Sequence, residues 1–153
     1  MKHSAALLGP GSEVLGFDDE LSTDHHWGPR VMLFVEEESL IYAEQMIQVL
    51  AQNLPYEFHG YPTSFSPGDE NGVQLLESIT SGPVKHRVTI QSIRAFVMDI
   101  LNFDVKQPLV PADWLSFSEQ RLLSITSGAI YHDEVGLAEA RARFAYYPHD
   151  VWL

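Results

Sequence analysis

The chain has 153 residues, 45 % of them apolar and 11 % aromatic, enough for one globular domain, or one domain and the start of another, around a real core. No run of about 18 apolar residues occurs, so no membrane span is expected, and the lack of cysteine excludes disulfides and thiolate metal sites and favours a cytoplasmic location. Nine Lys+Arg against 21 Asp+Glu give a formal net charge of -12, a field that repels phosphodiester backbones, so direct nucleic-acid binding is not expected. A small anion is still compatible with that charge, because remote charges are screened within roughly 8–10 Å and a local nest of backbone N–H groups can outweigh them.

In chain order, the first apolar run is SAALLG (residues 4–9), ended by Gly-Pro-Gly and read as a buried strand with a tight turn after it. It is too short and too broken by Gly and Pro to read well as a signal peptide. SEVLGFDDELSTD has a mixed pattern, one helical turn and a loop. RVMLFVE (30–36) is a second continuous apolar run, too short for a helix and expected to be a central strand. EEESLIYAEQMIQVLAQNLP then carries Leu40, Ala43, Met46, Ile47 and Leu50 at helical spacing, with acids in its first turn and Pro55 beyond its end.

YEFHGY (56–61) alternates and predicts a third strand, and the Pro/Gly/Ser/Asp-rich stretch 62–72 predicts a loop. VQLLESI fits a strand or a short helix equally. VKHRVTIQ (84–91) alternates with β-branched residues and predicts a strand, and SIRAFVMDILNF predicts a helix with Ser92 as its N-cap. From residue 109 onward the two patterns WLSFSEQRLLSITSGAIYHD and GLAEARARFAYYPHDVWL read as helical without a strand between them. The expectation is therefore an α/β (α+β) unit over residues 1–108, a small mixed β-sheet with packed helices, followed over 109–153 by the start of a helical region. The aromatic group RFAYYPHDVW is expected to be core or interface material, and its apolar helices are expected to favour self-association.

The chemistry-bearing stretch is STDHHWGPR (22–30), with GPGS (9–12) upstream of it. A strand, a Gly-Ser turn, a spacer and an acid just before the next strand resemble the nucleotidyltransferase superfamily, the polymerase-beta-like fold. A bacterial branch of that superfamily, a domain family of unknown function, is more closely similar: strings like SAALLGPGSEVLGFDDELSTDHxWGPR and ARFAYYPHDVWL recur in it. The resemblance covers nearly the whole chain, which looks like the N-terminal portion of such a protein or a shortened relative.

The resemblance implies a site for a nucleoside triphosphate and a hydroxyl-bearing acceptor. Gly11 and Ser12 would present backbone N–H groups to the phosphates, with Arg30 within reach of them, and Asp24 would hold Mg²⁺. Asp24 and His26 occupy the positions of the paired catalytic and metal-binding acids. His26 departs from the pattern, since imidazole suits Mn²⁺ or Zn²⁺ better than Mg²⁺. The third acid is expected on HRVTIQ, where the matching position is Thr89, with Glu77 the nearby acid on a candidate strand.

Blander readings stand beside these. Asp24 alone is more often a solvated or capping acid, and His26 is as often an inert loop histidine as a ligand. His25 would point away from both on an extended segment and read as scaffolding. Arg30 more often forms a surface salt bridge, and Trp27 packs against the sheet edge. Asp18-Asp19-Glu20 and Glu36-Glu37-Glu38 read as solvated charge, and the dipeptide His149-Asp150 as the first turn of a Pro-initiated helix. Three functions follow: nucleotidyl transfer, a catalytically silent ligand-binding or protein-interaction module, or a metal-dependent phosphoesterase using Asp24 and His26.

Overall fold

The computed structural model describes residues 1–17 and 27–149. Four strands form the central mixed sheet: β1 (His3–Leu7), β2 (Arg30–Val35), β7 (Arg87–Gln91) and β8 (Ala129–Asp133), in the spatial order β7-β2-β1-β8. β1 is antiparallel to both β2 and β8, whereas β2 and β7 run parallel. The parallel pair needs a crossover, which the helix α2 (Ala43–Asn53) supplies after a 3₁₀ segment, Glu37–Tyr42. The predicted helix over this stretch is thus 3₁₀ in its first part.

The two-residue period of a strand decides which side chains enter the core. Ser4 and Ala6 of β1 and Phe34 of β2 are fully buried, and Ser4 lies directly across from Phe34. On that side packs α3 (Ile93–Leu101), started as predicted by Ser92, whose hydroxyl accepts from the Ala95 N–H at 3.0 Å. It buries Phe96, Val97 and Leu101, and Phe96 meets Phe34 edge-to-face at 5.3 Å between ring centroids. The helices α4 (Pro111–Ser116), α5 (Glu119–Thr126) and α6 (Leu137–Ala142) complete the layer. Trp114, Phe117 and Phe144 gather with Phe103 there, at centroid separations from 5.7 to 6.5 Å.

Residues 109–153 are not wholly helical. β8 interrupts them and pairs with β1, and one hydrophobic core joins Phe34 and Phe96 to Trp114, Leu122 and Phe144 across the expected boundary at 108. The strand escaped sequence reading because it is an edge: of AIYHD only Ile130 is half-buried, so no apolar period marks it. Gly128 lets the chain enter β8. Its φ is +84°, and a Cβ there would lie 2.1 Å from the Leu7 carbonyl oxygen.

YEFHGY is a hairpin rather than one strand. β3 (Glu57–Phe58) and β4 (Tyr61–Pro62) pair around His59 and Gly60, both at positive φ, the backbone twist that tight hairpins require. The expected loop 62–72 contains β5 (Ser64–Phe65), which pairs with β6 (Leu76–Glu77), so VQLLESI contributes a strand. VKHRVTIQ enters the sheet only at Arg87. Before it, the Val84 N–H donates to the Ala51 carbonyl and Lys85 exchanges bonds with Ser64 and Phe65, so this stretch ties α2 to β5 instead of extending the sheet. Trp27 packs edge-on against Tyr61 of the hairpin at 5.0 Å, not against the main sheet.

Candidate functional site

The antiparallel and parallel registers bring the end of β1 and the starts of β2, β7 and β8 to one end of the sheet. Here the chain leaves β1 and turns through Gly9–Gly11 into a single helical turn, α1 (Ser12–Leu15). The turn is held from behind: the Gly9 N–H donates to the Ser124 carbonyl of α5 at 2.8 Å, and Val14 is buried. Glu13, the next residue after Ser12, folds its carboxylate back over Gly11 and ion-pairs with Arg30.

Arg30 stands beside Arg87 in the parallel register, and the Arg87 guanidinium lies 5.5 Å from the centre of the Phe65 ring. Burial, and then repulsion from Arg87, hold the Arg30 pKa below its ordinary value. Two half-buried guanidiniums at one sheet end make a local cationic spot in a chain of net charge -12. One carboxylate is already paired there. Chemically, the arrangement can take an anion with several oxygens, because a guanidinium offers a planar fork of donors.

Of the residues singled out by sequence, Gly11, Ser12 and Arg30 are brought to this end together. Asp24, His25 and His26 lie outside the described residues, as do Asp18-Asp19-Glu20 and Asp150. Thr89 is exposed on β7 beside Met32 of β2, and Glu77 is on β6, opposite Ser64 and exposed. Sequence reasoning missed Glu13 and Arg87. Nothing in the spacing of SEVL or VKHRVTIQ marks either, since strand register brings Arg87 beside Arg30 and the turn after β1 brings Glu13 to it.

The opposite end of the sheet holds a cleft of about 360 Å³ between the end of β2 and the start of α6. Several of its charges are paired. Arg94 pairs with Asp104 at 2.7 Å and with Glu37, and Lys106 reaches Glu37 at 2.6 Å. The Lys106 hydrogen bond, with Arg94 beside it, pulls the Glu37 carboxyl below its usual range despite opposing desolvation. Arg143 donates to the carbonyls of Val105 and Gln107. Glu36-Glu37-Glu38 therefore line a cleft, and Glu37 is a cross-link rather than simply a solvated charge.

Among the described residues, no helix is long and apolar enough to cross a membrane. A family model described as a domain of unknown function (DUF4037) matches residues 114–153, the stretch from α4 through the aromatic cluster to the chain's last residue. No curated protein matches the chain. No solved structure matches it.

Proposed function

We propose that this chain binds a nucleoside triphosphate at the Gly11–Ser12 turn, with Arg30 on the phosphates and a divalent cation at Asp24, and that it is a nucleotidyltransferase-like domain. The observation that supports this reading is the meeting of the turn after β1 with the head of β2: Arg30 reaches Glu13, one residue past Ser12. A phosphate would compete with the Glu13 carboxylate for the same guanidinium. The cation enters from the sequence pattern alone, through Asp24 and His26; Mg²⁺ is its first candidate, with Mn²⁺ or Zn²⁺ favoured by the imidazole. In the transfer reaction, an acceptor hydroxyl oxygen would bond to the α-phosphorus, pyrophosphate would leave, and the hydroxyl proton would pass to a base or water.

A second reading, a silent ligand-binding module, is favoured by Thr89. It stands exposed on the strand next to β2, where the family pattern puts a third carboxylate. Calorimetric titration of ATP and GTP with Mg²⁺, with Mn²⁺ and without metal separates the two. Binding strengthened by metal and lost in Asp24→Ala supports the transferase; binding indifferent to metal supports the silent module, and His26→Asp should then restore some metal dependence. No nucleotide binding under any condition overturns both. A phosphoesterase using Asp24 and His26 would instead hydrolyse p-nitrophenyl phosphate with Zn²⁺ or Mn²⁺ and lose that activity in His26→Ala.

A further inference from the structure

We propose that His3, His132 and Glu134 form a binding site for a divalent transition-metal cation of the zinc class, at the sheet end opposite the Gly11–Ser12 turn. His3 opens β1, His132 lies on β8, and Glu134 follows the last residue of β8. Their ligand atoms all lie within 4.8 Å of one another. The His132 Nε2 is 3.1 Å and the His3 Nδ1 3.7 Å from the same Glu134 Oε2, and the two imidazole rings lie 4.8 Å apart between centroids, tilted by 39°. Donors on a tetrahedral zinc ion, bonded at about 2.0–2.2 Å, stand roughly 3.4 Å apart, so small side-chain rotations close the set.

The donors choose the metal. Two imidazoles and one carboxylate suit Zn²⁺, Co²⁺ or Ni²⁺, while Mg²⁺ and Ca²⁺ prefer oxygen ligands throughout. Each of the three side chains is more than 40 % exposed, so a bound ion would keep solvent-facing positions. This is the arrangement of an open site rather than a closed structural one.

The backbone beneath the donors is fixed. Ser4 is fully buried; its hydroxyl donates to Asp133 at 2.5 Å and accepts from the Glu134 and Val135 N–H groups at 3.2 Å each, its full capacity. Asp133 in turn accepts from the N–H groups of Gly136, Leu137 and Ala138 at the start of α6. The Glu134 N–H donates to the His3 carbonyl, and the His3 N–H to Glu134 Oε2. Two ligands on one strand pairing and a third one residue away are thus held by bonds that do not involve the metal, the kind of support that preorganises a site.

The test uses the full chain without an affinity tag, titrated with Zn²⁺ against a chromophoric chelator and with Co²⁺ followed by its visible absorption. In Asp24→Ala, which removes the cation site of the proposed nucleotide pocket, one zinc per chain is expected, undisplaced by millimolar Mg²⁺, with affinity falling at least about tenfold on adding His132→Gln or Glu134→Gln. In that background zinc should raise the melting temperature, and should no longer do so once His132→Gln is added; that exposed edge-strand side chain leaves the metal-free melt nearly unchanged. In the parent chain, His26→Ala should remove at most a cation of the nucleotide pocket and leave this zinc bound. Absence of zinc binding at submillimolar concentration in Asp24→Ala, or binding unchanged by both His132→Gln and Glu134→Gln in that background, would overturn the proposal; zinc held only while Asp24 and His26 are present would put the ion with Asp24 and leave the nucleotide reading standing.

Discussion

The two ends of the sheet solve opposite problems. At the His3–Glu134 end, one buried hydroxyl and one carboxylate fasten β1, β8 and α6 by hydrogen bonds that are all satisfied within the protein. At the Gly11–Arg30 end, close backbone approach at Gly128 and like-charged guanidiniums in register are tolerated, and the Glu13 carboxylate pairs with Arg30. The first end has the character of a fastening, and the second gathers positive charge. Natural structures carry such local conflicts at sites of function, so the second end suits the anion site proposed for it, while the first offers a rigid base for the proposed metal ion.

The contrast can be broken most severely at Gly128. Gly128→Ala puts a Cβ against the Leu7 carbonyl at positive φ, and we expect a loss of about 3 kcal/mol or more in urea unfolding, with β8 leaving the sheet. Ser4→Ala attacks the fastening instead. It strands the Val135 N–H, leaves the Glu134 N–H with the His3 carbonyl alone and removes a donor to Asp133, and should cost about 2 kcal/mol by the same measurement. If Ser4→Ala proved neutral, the claim that this end is held by its hydrogen bonds would fail.

Arg30→Gln should act on binding more than on folding: nucleotide affinity is expected to fall about tenfold, while stability changes by about 1 kcal/mol or less, because the lost partner is one half-exposed ion pair. Equal binding by the variant would remove Arg30 from the phosphate site.

A gentler probe is acid. Burial by itself would raise the Asp133 pKa, but the hydroxyl of Ser4 and the N–H groups of Ala138, Leu137 and Gly136 outweigh it and bring it down to about 2 from the ordinary 3.8. A carboxylate with a depressed folded-state pKa stabilises the fold above its unfolded value and stops doing so as pH falls through its folded value. The loss should therefore develop between about pH 4 and pH 2. The shift corresponds to about 2 kcal/mol, reduced to about 1 kcal/mol by solvent screening at this exposed group, and Asp133→Asn should abolish this step in a pH series of melts. Smallest of all, Ile41→Ser, 78 % exposed and at neither end, should move stability by less than about 0.5 kcal/mol and sets the background for the other changes.

The elements with strong local signals were legible. The apolar runs at Ser4–Gly9 and Arg30–Glu36 are β1 and β2, and Ser92 caps α3, because burial on a strand and a side-chain cap both write themselves into neighbouring residues. What stayed hidden lacked such a signature. β8 is an exposed edge, the pair β5 and β6 is two residues long on each side, and the turn at His59-Gly60 splits an alternating stretch that fits a single strand equally well. Of the candidate phosphate site, Gly11, Ser12 and Arg30 could be chosen from their order along the chain. Glu13 and Arg87 could not, since Arg87 joins it only through the pairing of β2 with β7 and Glu13 only through its ion pair with Arg30.

Composition, periodicity and turn residues by themselves determined that this chain folds as a mixed α/β protein, with a glycine turn after its first strand and an arginine heading its second. They could do so because each is a statement about neighbours in the chain. Only the tertiary structure decided that β8 closes the sheet beside β1 and so sets His132 and Glu134 against His3, more than a hundred residues away. Strand register is fixed by burial of Ala6 and Phe34 and by the Ser4–Asp133 hydrogen bond, a long-range balance of packing and polar satisfaction.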